Sequence, residues 1–138
     1  MDDGLIQVQA SAIRASCARL SAPQLQALQH SVVRASQLPR SGWARKAAAH
    51  AEIFSLLAGI AEDPVLVRAL SSGAGLARHL MVMVGPAVDG MTSSSRQRLL
   101  TCLRAGDPEG AAHEMETHLR VLSFMGRLAG SAPGPARQ

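Results

Sequence analysis

Three polar side chains, His50, Arg96 and His118, interrupt otherwise apolar helical stripes in this 138-residue chain. His118 stands in the row Ala111, Met115, Leu122, Met125, whose steps of three and four keep one helix face. His50 stands likewise among Trp43, Ala47, Phe54, Leu57 and Ala61, and Arg96 lies three and four residues before Leu99 and Leu100, at the border of an apolar face. An imidazole can ligate a metal or exchange a proton, and a guanidinium presents a fork that matches a carboxylate or phosphate. A cation and an imidazole are thus aimed at the same interior. Each residue also has a plainer reading. A histidine on an apolar face can hydrogen-bond within a core, an arginine near a helix start can reach water along its stem, and Phe, Trp and Met pack. No nucleophile is paired with a base and no acid pair is present, so the chain does not read as an enzyme.

Six helices are needed to position these residues. The first carries Ile6, Ala10, Ile13, Cys17 and Leu20 on one face. Ser21, with Pro23 and Gln24 behind it, opens a second as a capping box that runs to about Ser36. After a loop broken by Pro39, a third spans about Gly42 to Glu62. Asp63-Pro64 caps and starts the fourth, which ends at Gly85-Pro86; Gly73 and Gly75 inside it predict a kink or a close helix approach. Residues Ala87 to Thr92 read as a loop, with Ser93 or Ser94 capping the Arg96 helix. Gly106 ends that helix in the left-handed conformation, and Asp107-Pro108 starts the last one. The tail from Ser131, SAPGPARQ, has no periodicity and reads as disordered.

Composition bounds the partners. The length suits one domain, residues 1–130 with the tail 131–138 apart. Two Phe, one Trp and no Tyr leave a core of aliphatic residues and Met, and no alternating β-branched run suggests a sheet. The charge of +4 comes mainly from arginines scattered between Arg14 and Arg137, without the clustered stripe of a nucleic-acid binder, and reads as solvated helix faces. Cys17 and Cys102 stand far apart in no metal or redox spacing, as small hydrophobes of a reducing compartment. The start Met-Asp-Asp-Gly lacks the charge of a secretory signal, and no apolar run is long enough to span a bilayer, so the expected location is the cytoplasm. Glu114, four residues before His118, can bond to that imidazole, complete a metal site or simply face solvent; His30, His79 and His113 lie off the stripes.

The run LLTCLRAGDPEGAAHEMETHL, with Met115, His118 and Leu119, resembles the closing helix pair of the FadR C-terminal-like (FCD) ligand-binding domain of GntR-superfamily transcription regulators. AHAEIFSLLAGIAEDPVLVRAL resembles that family's Asp-x-x-x-His helix and its Asn-Pro-x-Leu restart, and the likeness extends from about Ile6 to Leu128. It implies an all-α antiparallel bundle that senses an effector and dimerises, with DNA contacted only through a winged-helix domain that these residues do not contain. Many such domains hold a divalent metal on one Asp and three His. Carried over, those positions are His50, Phe54, Arg96 and His118, so the resemblance implies a metal-free pocket of His50, Phe54, Arg96, Met115 and His118 for a small organic acid or amphipathic carboxylate. Zinc or nickel on His50 and His118 is the alternative at a reduced site. The alternative function is a structural or protein-interaction helical module with a filled core and no effector.

Overall fold

The computed structural model describes residues 3–18 and 20–131, the last by its backbone alone. The expected disordered tail falls, apart from Ser131, outside the described residues. Six α-helices make up the bundle: α1 (Asp3–Cys17), α2 (Ala22–Gln37), α3 (Trp43–Ile60), α4 (Pro64–Val84), α5 (Asp89–Arg104) and α6 (Pro108–Ser131). Short 3-10 turns at Arg40–Gly42 and Pro86–Val88 lead into α3 and α5, and there is no strand among the described residues.

The helix starts follow from local chemistry. Ser21 Oγ accepts from Gln24 N at 3.2 Å while Gln24 Oε1 accepts from Ser21 N at 2.8 Å, a reciprocal box that satisfies two amides left free at the start of α2. Asp63 Oδ1 accepts from Val65 N at 2.8 Å and Asp107 Oδ1 from Gly110 N at 2.9 Å. The joint between α5 and α6 is a Schellman turn: Gly106 takes φ +64°, Asp107 N donates to Cys102 O at 2.9 Å and Gly106 N to Leu103 O at 3.2 Å. Six residues suffice to reverse the chain, so α5 and α6 pack as an antiparallel pair.

The helix α6 is central, touching α1, α4 and α5, while α3 packs on α2 and α4. The core is aliphatic, built on Ile6, Ile13, Leu28, Ile53, Leu57, Leu70, Leu99, Leu100, Leu119 and Leu122, with Phe54 and Met115 fully buried among them. Gly73 is the site of a close approach rather than a kink, since α4 runs unbroken and a Cβ there would lie 2.2 Å from Gln9 Oε1 and 2.9 Å from Phe54 Cδ1. Gly75 faces open space.

One expected boundary moves. The segment expected to be a loop up to Thr92 is helical from Asp89, so α5 begins more than a turn before Ser94. Its opening sequence DGMTSSS offers weak helix formers and no apolar repeat; what holds it is tertiary, because Asp89 and Thr92 are buried and bonded.

Candidate functional site

His50 on α3, Arg96 on α5 and His118 on α6 each face the middle of the bundle. All three are buried, at 3%, 1% and 3% exposure. Arg96 does not reach water; it is the largest fully buried side chain. Its Nε donates to the His50 carbonyl at 3.1 Å and its Nη1 toward His118 Nδ1 at 3.4 Å. Its Cζ lies 5.9 Å from the centroid of the Phe54 ring, within cation–π range. Met115 is fully buried one turn before His118 on the same helix. Nη2 has no partner although it is inaccessible, and no ion pair to Arg96 is present among the described residues.

A guanidinium has donors only, which settles the His118 tautomer: Nδ1 accepts, so Nε2 carries the hydrogen and donates to Thr92 Oγ1 at 3.1 Å. Burial first, and then the Arg96 charge, push the His118 pKa down to about 2, so this imidazole is neutral at any physiological pH. Burial also pulls Arg96 down, to about 10, partly offset by the Glu114 carboxylate. Arg96 is therefore a charged group in a dry interior with one of its three nitrogens unsatisfied.

A second polar cluster adjoins the first. Asp89, the first residue of α5, accepts from His50 Nε2 at 2.8 Å and Arg40 Nε at 2.9 Å, with Lys46 Nζ at 3.5 Å. Burial pushes this carboxyl up, but the bonds from His50 and Arg40 outweigh it and hold the pKa below the usual range. His50 is lowered by burial, against the pull of Asp89. Lys46, itself buried, also donates to Ser36 O at 3.2 Å and Leu38 O at 2.5 Å, closing the C-terminal end of α2. The cluster thus ties the end of α2, the start of α5 and the middle of α3 around His50. The Trp43 ring stands 6.3 Å from the His50 ring and its Nε1 donates to Met81 O at 2.8 Å.

Sequence reasoning named His50, Phe54, Arg96, Met115 and His118 but missed Asp89, Thr92 and Lys46. Asp89 and Thr92 fell in the presumed loop. Lys46, one helical turn before His50, carried a signal in its spacing: a lone lysine on the edge of an apolar stripe. Its burial departs from the reading of the scattered basic residues as solvated helix faces. Glu114 bonds away from His118: it accepts from Ser95 Oγ at 2.8 Å and from Arg98 Nε at 2.7 Å, bracing α5 to α6 beside the site. His30, His79 and His113 are exposed, as their positions off the stripes imply.

The donor set does not suit a divalent metal. Of the four positions, Phe54 has no lone pair and Arg96 has none to give. His118 Nδ1 faces a guanidinium hydrogen, and His50 Nε2 is engaged by Asp89. No group of three His, Cys, Asp or Glu side chains able to hold an ion occurs among the described residues.

Six helices packed around a buried polar centre make an all-α bundle. A family model for the FCD domain matches residues 6–121, most of the chain, and the protein belongs to that family. The FCD domain is the effector-binding domain of GntR-family transcription regulators. No curated protein and no solved structure matches. No helix of the described residues is long and apolar enough to cross a membrane.

Proposed function

We propose that this domain senses a small organic acid or amphipathic carboxylate, that it does so without a metal, and that the acid's carboxylate pairs with Arg96. The observation that carries this reading is the buried Arg96 Nη2, without a partner. Leaving a buried donor unsatisfied costs about 1–3 kcal/mol, and more for a charged one. A carboxylate beside it would supply both the missing acceptor and the missing negative charge. Phe54 and Met115 would offer the apolar wall, and His50 and His118 the neutral polar edge.

His50, Phe54, Arg96, Met115 and His118 are all buried, so an acid reaches Arg96 only when the packing around it opens. Arg96 and Thr92 on α5 both bond to His118 on α6. An acid bound to the free Nη2 lies beside this link between the last two helices, which gives the ligand a way to favour one helix arrangement over another.

The test is thermal unfolding with a panel of small carboxylic acids, on the parent and on Arg96→Met. Binding raises the parent's Tm in a concentration-dependent way by mass action, and the variant loses that rise. Arg96→Met removes the buried charge but leaves the His50 carbonyl and His118 Nδ1 without their donor, at about 1–3 kcal/mol each, so the readout is the change in Tm on adding acid and not the Tm itself. The competing reading is a filled structural module in which Arg96 only braces three helices. It requires no rise in Tm with any acid, in the parent or in the variant. A rise in Tm that survives in Arg96→Met overturns the pairing.

A homodimer belongs to the same proposal. Val121, Phe124 and Leu128 form an exposed apolar row on α6, at 36%, 55% and 55% exposure, and a two-fold axis would pair that row with itself. Sedimentation of the parent should give a dimer and that of Phe124→Glu a folded monomer. A Phe124→Glu dimer of undiminished affinity places the contact elsewhere.

A further inference from the structure

We infer that the outer surface carries a second site, separate from the centre, for the phosphate group of a small phosphorylated metabolite. A groove of about 600 Å³ runs along the outward face of α3 between α2 and α4. Its floor is made of small residues such as Ala48, Ala49 and Gly75, and three arginines line it, one from each helix: Arg34, Arg45 and Arg78. Arg34 is paired with Glu52 inside the groove. Two contacts set the antiparallel register of α3 against α4, Trp43 with the Met81 carbonyl and Phe54 beside Gly73. In that register Arg45 and Arg78 stand at the same end of the groove, each about one helical turn from Ala49 or Gly75. Neither has an ion-pair or hydrogen-bond partner among the described residues, and both are exposed.

Two cations held at one level repel each other, and a dianion between them removes that repulsion. A phosphomonoester carries a charge of about −1.5 to −2 at neutral pH and has three acceptor oxygens, so it can engage both forks, whereas one carboxylate satisfies a single fork. A groove of this volume is the size of a small-molecule site. The lining argues against the larger anions: no aromatic side chain is there to stack a base, and Leu38 is the one large apolar side chain available to anchor a protein partner.

The experiment is an NMR titration of the full chain with inorganic phosphate and with glycerol 3-phosphate, at constant ionic strength against chloride. Saturable shifts of the Ala48, Ala49, Ala74 and Gly75 amides are expected, with the ester binding more tightly than phosphate. Arg78→Gln should weaken binding at least tenfold, and Arg45→Gln with Arg78→Gln should abolish saturation; both positions are exposed, so the variants fold. Shifts that stay linear or spread over all surface arginines overturn the site, as does an unchanged affinity in the double variant. An ester that binds no better than free phosphate overturns the metabolite assignment. Because Arg96 takes no part, these results do not depend on the acid response of the interior.

Discussion

At Asp89 one carboxylate holds three donors from three places in the chain, Arg40, Lys46 and His50. Lys46 is nearly inaccessible, and its ammonium meets that carboxylate and the two carbonyls at the end of α2. Asp89→Asn keeps the shape and removes the charge. Stranding a buried cation in this way is expected to cost about 3–5 kcal/mol in urea unfolding, and a loss below about 1 kcal/mol would show that Asp89 is no anchor for Lys46. The residues of the central site differ in how far the sequence disclosed them. His50, Arg96 and His118 were legible because each breaks an apolar stripe, and position within a regular helix dictates direction. Asp89 and Thr92 were not, because polar residues in a weak helix former carry no such pattern; their burial is set by packing with α3 and α6. The orphaned nitrogen of Arg96 was equally beyond reach, since it depends on where His118 and the His50 carbonyl stop short of the third donor.

Among the elements, the helix starts and stops were read best, because caps and left-handed glycines are local chemistry: Ser21, Asp63, Gly85, Gly106 and Asp107 all act where their types imply. The start of α5 was read worst, for the reason just given. The contact between α1 and α4 lies between these cases. Gly73 signals close approach, but its partner Gln9 emerges only in three dimensions, with its Nε2 donating to the α4 carbonyl of Ala69 at 2.7 Å. Gly73→Ala would drive a methyl into Gln9 and the edge of Phe54, and overpacking of this kind costs about 1–3 kcal/mol. Gln9→Ala in the same chain should return part of that loss, so a double-mutant cycle by urea unfolding should show coupling of at least about 0.5 kcal/mol. Strict additivity would mean that Phe54 alone resists the methyl.

At the scale of the whole molecule, burying neutral imidazoles makes the bundle acid-sensitive well above the carboxylate range. An unfolded histidine titrates near 6.5, whereas folded His118 stays neutral down to about pH 2. Below pH 6.5 the unfolded chain therefore binds a proton that the folded chain refuses, and stability falls as pH falls. For His118 alone the loss between pH 7.5 and 5.5 is about 1.4 kcal/mol. His50, lowered as well, adds to it with the same sign. Asp89 acts in a separate window: its folded pKa is depressed, so its contribution is full above the ordinary carboxylate value and disappears only as pH falls through the folded one. Urea unfolding at pH 7.5, 6.5 and 5.5 should show the histidine slope, and His118→Gln should flatten it by about the amount given for that residue. Undiminished stability at pH 5.5 would mean that the interior opens enough to let His118 take its proton beside Arg96. That would make the charge at Arg96 far less isolated than its burial implies, and with it would go the reason for an acid to bind there.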